Sequence, residues 1–409
     1  MKKFLGLLIG LSLLSGVSLA VDEMAYVINT SGETLSKIDL TTGVTTNDIL
    51  PLGSDIICAP NQIVVRDTLA FVVVSYTDEI QVINLNTENT VTFIDLPAGS
   101  NPFWMAFYDT SYAYVTNLSR NKLAKIDVKN FSLVGEVSIG NGPEGIMIHD
   151  HKAYIANTNY DFVHYQFNDG IVAVYDIPAD TVMYEITVGM NPQYLALDKD
   201  NRIHVVCTGN YGFGSPPTWG MIYVINPATD MIIDSFATGG SPTTIAIGPD
   251  DIAYLAASGY YDSHGSLFSY DAGSYEIYHG LSNPIVVDSG CWTVVAYQDS
   301  TIYESNFADF VGQHDSSGVE LTKYPLGDGP ADLDFNYVPG DLDGDFQVNV
   351  ADVTYLVGWL FLGGADPRWP VWRANVNADF GYDIADLTYL VSFLFTSGPP
   401  PVVGPTWLR

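Results

Sequence analysis

Between residues 21 and 337, short apolar runs alternate with polar turns at a recurring interval. Each unit opens on a three-residue run centred on Tyr26, Phe71, Tyr114, Tyr154, His204, Tyr254 or Val294. A second run closes on an Asp or Asn marker: Asp39, Asn84, Asp127, Asp176, Asn226, Asp271 and Asn306. A third strand-like run follows, as in residues 134–139 and 183–188, and then a Gly-x-x-Pro turn at Gly99/Pro102, Gly140/Pro143, Gly189/Pro192, Gly239/Pro242 and Gly327/Pro330. An apolar strand such as residues 194–197 completes the unit. The period of 40 to 50 residues thus holds four short strands. Such a unit cannot bury its own two faces, and stacking units in a ring buries both. The fold predicted is mainly β, a seven-bladed propeller over residues 21–337. The chain enters on a second strand at Ala25 and ends the ring on a first strand at 331–335, so the last strand should complete the first blade.

The repeats differ at one place. From central residue to marker the first three units count 13 residues, the fourth and fifth 22, the sixth 17 and the seventh 12. Three neighbouring blades therefore carry a lengthened loop between their second and third strands, on the face of the Gly-x-x-Pro turns. The loops are rich in aromatic residues: Tyr160, Phe162 and Tyr165, then Tyr211, Phe213 and Trp219, then Tyr260 and Tyr261. Rings on loops offer flat apolar area with polar tips, suited to stacking on a sugar or gripping a peptide. They could equally pack on one another to hold the loops in place.

Residues 340–398 have a different pattern, a loop and an amphipathic helix given twice. The first loop places oxygen side chains at Asp341, Asp343, Asp345, Asn349 and Asp352, and the second at Asn375, Asn377, Asp379, Asp383 and Asp386. Gln347 and Gly381, seventh in each loop, would contribute a backbone carbonyl. That spacing matches an EF-hand calcium loop, because a hard cation needs six or more oxygens around it. Two calcium ions are expected. Phe346 and Phe380 stand sixth, where glycine usually supplies a positive φ, and the second loop carries less charge. Val353, Leu356, Val357 and Leu360 recur at helical spacing, as do Leu387, Leu390, Val391 and Leu394, and read as core stripes.

Composition narrows the function classes. Lys and Arg number 15 against 47 Asp and Glu, a net charge of −32, which repels phosphate backbones and argues against a nucleic-acid partner. Residues 1–20 read as a cleaved secretory signal peptide: Lys2 and Lys3, an apolar run, then Ser18-Leu19-Ala20. No other long apolar stretch suggests a membrane span, so a secreted or cell-surface location is expected. Three cysteines, Cys58, Cys207 and Cys291, make no disulfide framework. Catalytic signals are weak: His149-Asp150-His151 reads as a solvated hairpin turn, and no HExxH, Gly-x-Ser-x-Gly or P-loop occurs.

Tyr114-Val115-Thr116-Asn117 and Ala153-Tyr154-Ile155-Ala156-Asn157 resemble the YVTN family of propeller repeats, which implies a fold and leaves function open. The duplicated loop-helix unit closely resembles a type I dockerin. That resemblance implies a calcium-folded module over 338–398, followed by a Pro-rich tail at 399–409, that docks on a cohesin-bearing scaffold or surface protein. In the family, the tenth and eleventh loop positions help read the cohesin. Here they are Val350 and Ala351, and Ile384 and Ala385. The leading expectation is a secreted, non-catalytic binding protein whose propeller presents an aromatic face to a glycan or peptide. The alternatives are a polysaccharide lyase or glycoside hydrolase targeted by its dockerin, and a structural surface-layer component.

Overall fold

The computed structural model describes residues 23–403 except 162, 213–215, 258–264, 299, 369 and 380. Residues 1–20, read as a leader, and residues 404–409 of the tail lie outside the described residues. The chain forms two compact units, Glu23–Asn336 and a C-terminal unit from Tyr337 onward.

The first unit is a seven-bladed propeller of antiparallel sheets, four principal strands to each blade. The innermost strands are Pro330–Phe335, Pro60–Arg66, Pro102–Phe107, Pro143–His149, Pro192–Leu197, Pro242–Ile247 and Cys291–Ala296, in blade order. Proline opens six of the seven. It is tolerated at the first position of a strand, where its missing N–H costs least. The second strands are sandwiched between blades and read as unbroken apolar runs. Leu69–Val74 is buried at every residue after the first. The outer strands face water, and Met231–Ala237 is exposed at six of seven positions. Closure is as expected: Pro330–Phe335 pairs antiparallel with Met24–Asn29, setting Val27 opposite Leu333.

Six of the seven markers end third strands and hold the hairpin that follows. Asp39 Oδ1, for example, accepts the N–H groups of Thr41 and Thr42, both at 2.9 Å. These bonds lower the carboxyl pKa of Asp39, Asp127 and Asp271. The seventh blade departs from expectation by one strand. Residues 293–295 belong to its innermost strand, and its second strand is Ile302–Asn306. There Tyr303 and Asn306 occupy the ends of the repeat's tetrapeptide, and Asp315 takes the marker's place, accepting from Ser317 and Val319. Glu304 and Ser305 hid this strand, since buried polar residues do not read as core. The sixth blade's outer strand is broken into Ile277–His279 and Ile285–Val287.

Every innermost strand bulges just after its first residue. A bulge takes a carbonyl out of its ladder, and a buried carbonyl needs a partner. Hydroxyls of the preceding blade supply it. Thr30 donates to the Pro60 carbonyl at 2.5 Å, Ser75 to Pro102 at 2.7 Å and Thr116 to Glu144 at 2.5 Å. Thr208 donates to Pro242 at 2.7 Å, Thr243 to Trp292 at 3.1 Å and Ser305 to Ala331 at 2.9 Å. Among the described residues the junction of blades four and five has no such bond. There Gly145 lies so close that a Cβ would stand 2.3 Å from the Gln193 carbonyl oxygen.

The C-terminal unit contains two helices, α1 (Val350–Leu362) and α2 (Ile384–Thr396). They pack over a small core including Leu342, Val348, Leu356, Val376, Leu390 and Leu394. Tyr355, Trp359, Tyr389 and Phe393 flank this core, while Val391, expected inside, is 36% exposed. Two residues from both Tyr389 and Phe393, Val391 falls on the opposite side of α2 from those rings. A Cβ at Gly340 would lie 3.0 Å from Pro401, so the Pro-rich segment returns to the start of the unit. All three cysteines are free and buried, and no described helix is long and apolar enough to cross a membrane.

Two outcomes follow from the packing. Gly145→Ala should lower the propeller's stability by about 1–3 kcal/mol in urea unfolding, because the inner strands cannot separate locally. The pH dependence rests on Asp332 and Asp334, which accept the Ile63 and Val65 N–H groups at 3.0 and 2.8 Å. Burial pushes Asp332 well up and Asp334 to about 7. An unfolded aspartate titrates near ~3.9, so the folded state holds more protons between those values. That contribution is fully present below the unfolded pKa and lost as pH rises through about 7. The turn aspartates, shifted downward, stay ionised throughout that upper range. The melting temperature should fall between about pH 5 and pH 8, and Asp334→Asn should flatten the fall.

Candidate functional site

The lengthened loops of the fourth and fifth blades lie where the spacing placed them, between second and third strands, at residues 158–168 and 208–220, while the sixth-blade loop, 258–264, lies outside the described residues. Phe162, Phe213, Tyr260 and Tyr261 lie outside the described residues. In the fourth blade Tyr160–Asp161 pairs with Gln166–Phe167 to make a short hairpin. Tyr160 and Phe167 meet edge to face at 4.7 Å, and Phe167 lies 6.2 Å from Tyr211 of the fifth blade. Adjacent loops thus pack on one another. The Tyr211 hydroxyl accepts from Gln193 Nε2 at 3.2 Å, which ties its loop to an innermost strand. Trp219 covers Gly212, where a Cβ would stand 2.4 Å from the indole. Tyr165 and Trp219 remain outward, 80% and 46% exposed. Tyr76, which the sequence reading passed over, is exposed on the corresponding turn of the second blade, and Ile56 is exposed in the connection from the outer strand of the first blade to the innermost strand of the second.

The second candidate is the duplicated acidic loop. One carboxylate oxygen each of Asp341, Asp343 and Asp345 lies within 4.8 Å of the others. The loop is shaped around Asp341, which is fully buried. Its Oδ1 accepts from the Gly344 and Asp345 N–H groups at 2.8 and 3.1 Å, and its Oδ2 from Phe346 N–H at 3.1 Å. Phe346 takes a left-handed φ of 60° and buries its ring in the core. That backbone geometry costs a non-glycine residue roughly 1–2 kcal/mol, which burial of the ring offsets. Asn349 caps α1, accepting from Ala351 N–H at 2.8 Å, and Asp352 reaches back to the Asn349 and Leu342 N–H groups at 2.8 and 2.7 Å.

The second copy repeats these bonds. Asp383 caps α2 by accepting from Ala385 at 2.6 Å, and Asp386 accepts from Asp383 and Val376 at 2.9 and 3.0 Å. Asp379 Oδ1 accepts from Gly381 at 2.9 Å, as Asp345 Oδ1 does from Gln347 at 2.8 Å. Ala378 has a φ of 57° where the first copy has Gly344 at 78°. The first residue differs: Asn375 donates its amide to the Asp379 carbonyl at 2.6 Å, leaving its buried Oδ1 without a hydrogen-bond partner. An orphaned oxygen inside an oxygen-rich loop fits a cation, as does the convergence of three carboxylates in the first copy. Burial raises Asp341 and Asp343, with crowding by Asp345 adding to Asp343, and lifts Asp352 and Asp386 to about 6.

Sequence reasoning missed Arg373. It is wholly buried in a short turn, Val371–Ala374, with Nη1 3.2 Å from Asp341 Oδ2 and its guanidinium 4.9 Å over the Tyr337 ring. It holds the first loop residue in place from the second copy. The first copy has proline at the matching position, so duplication gave no signal for it. Val350, Ala351, Ile384 and Ala385 all lie exposed in the first turns of α1 and α2.

Loop packing separates two kinds of ring. Phe167→Ala should loosen both neighbouring loops and speed their cleavage in limited proteolysis. Tyr165→Ser should leave unfolding unchanged within about 0.5 kcal/mol, as outward side chains generally do.

No family model and no curated protein matches the sequence. Solved structures do match in fold. A quinonprotein alcohol dehydrogenase-like protein from Bacteroides thetaiotaomicron is 15% identical, with 78% of this chain and 79% of that one covered at a TM-score of 0.57. A catalytically inactive virginiamycin B lyase from Staphylococcus aureus, solved with quinupristin, is 17% identical, with coverage of 68% and 92% and a TM-score of 0.51. A chain of the mitotic checkpoint complex is 10% identical, with coverage of 76% and 84% and a TM-score of 0.54. At such identities the likeness shows a fold and carries no activity across, and that fold is the β-propeller.

Proposed function

We propose that the chain is a secreted, non-catalytic attachment protein: a YVTN-type propeller joined to a dockerin-like module that docks, with calcium, on a cohesin-bearing partner. The observation that carries this reading is the repetition of one loop-helix geometry in two copies, each with its oxygens gathered at the helix start. Asp341, Asp343, Asp345, the Gln347 carbonyl, Asn349 and Asp352 would hold one calcium ion. Asn375, Asn377, Asp379, the Gly381 carbonyl, Asp383 and Asp386 would hold the other. Calcium would supply the positive charge that fixes each loop against its helix. The first loop has four carboxylates and the second three, so the first is the tighter site.

Val350, Ala351, Ile384 and Ala385 would then form two matching apolar contacts for the partner. The outward rings of Tyr165 and Trp219 support a propeller face for glycan or peptide. Calorimetric titration of the chain lacking residues 1–20 should find two calcium sites, and Asp341→Asn should remove the tighter one. A cohesin-bearing surface fraction should retain the protein only with calcium. The paired changes Val350→Asp and Ile384→Asp should release it. Retention that survives both the chelator and those changes would overturn the docking reading.

A further inference from the structure

The seven bulges form a ring at the loop-side mouth of the propeller's central channel. Glu144 is a bulge residue of the fourth blade: its carbonyl accepts the Thr116 hydroxyl of blade three, and it directly precedes Gly145, which lies against Gln193 and Tyr194 of blade five. Glu144 is 9% exposed, and its Oε2 has no hydrogen-bond partner. Among the described residues, no basic side chain makes a salt bridge with it. The other channel acids differ, since Asp332 and Asp334 bond to backbone N–H groups of the second blade. Burial pushes Glu144 up to about 8, relieved only by the Gln193 amide.

Beside this carboxyl stands an aromatic corner. Trp104 and Tyr194, from the innermost strands of blades three and five, meet edge to face at 4.9 Å, and Phe103 lies 6.2 Å from Tyr194. Phe103, Trp104 and Gln193 are partly exposed, so part of this corner meets solvent. Burial, with Glu144, Asp332 and Tyr211 adding to it, holds the Tyr194 hydroxyl well above its ordinary range, which places Glu144 close to this ring.

We propose that the loop-side mouth of the channel binds an organic ammonium group, seated against Trp104 and Tyr194 with Glu144 as its counter-ion. A positive ligand offsets the desolvation of the carboxyl and meets the negative faces of the rings. An anion is repelled, and a neutral sugar leaves the charge unmatched. A bare metal ion needs oxygens that an aromatic wall does not offer. The site stands independently of the docking reading, because every residue in it belongs to the propeller.

Tetramethylammonium, whose charge does not titrate, is the probe, with tert-butanol as its neutral counterpart. Both are titrated into the full chain by calorimetry and tryptophan fluorescence. Saturable binding of the cation alone is expected, strengthening with pH through about 8 as Glu144 ionises. Gln193 and Tyr194 face it, with Asp332 and Tyr211 beyond them against Tyr194; Gln193 carries no charge, and Tyr194, held well above its ordinary range, stays neutral through that interval. Glu144→Gln preserves shape and should weaken binding by about tenfold or more, at an unchanged or raised melting temperature. Trp104→Leu should weaken it similarly. Failure to bind up to about 50 mM at pH 9, equal binding of tert-butanol, or undiminished binding by Glu144→Gln would overturn the assignment.

Discussion

The ring depends on satisfying the carbonyls that its own bulges expose. Each innermost strand leaves its ladder at the same place, and a hydroxyl from the blade before comes to meet it at six junctions. These bonds fix how closely the blades approach, and the interblade cores of Val, Ile, Ala and aromatic side chains pack at that spacing. The seventh junction is made by a glycine. Its backbone comes within contact of the next strand, beside Gln193 and Tyr194.

The acidic balance of the chain, −32, is spent in three ways. Turn aspartates such as Asp39 and Asp127 cap hairpins and are held ionised by the N–H groups they accept. Asp332 and Asp334 use their oxygens to tie the closing strand to its neighbour, at the cost of burial. The loop acids of the C-terminal unit bring three carboxylates together, of which Asp341 pairs with Arg373, and Glu144 keeps a buried oxygen with no hydrogen-bond partner. The first two groups are structural in full. The third is where a positive ligand gains most, whether a hard cation held by oxygens or a soft one held by rings.

Within the C-terminal unit, duplication and asymmetry act together. Two copies share their caps and their return bonds, which is why the repeat was visible in the residues. Arg373 breaks the equivalence by bracing Asp341 from below, and Asn375 breaks it by donating where Asp341 accepts. The two loops therefore differ in charge and in bonding although their helices are nearly the same.

How much was legible follows from the range of each interaction. Strand count, blade count, ring closure, the position of the long loops and both acidic loops rest on local periodicity and spacing, and these the residues determined by themselves. The seventh blade slipped by one strand because Glu304 and Ser305 are buried through partners distant in sequence, which no local hydrophobic pattern registers. Tertiary structure alone decided which rings pack inward, as Tyr160, Phe167 and Tyr211 do, and which stay outward, as Tyr165 does. It alone set Trp104, Glu144 and Tyr194 together, from three blades some 40 to 50 residues apart in sequence. Sequence spacing places residues within a blade; only closing the ring brings the innermost strands of separate blades around one axis.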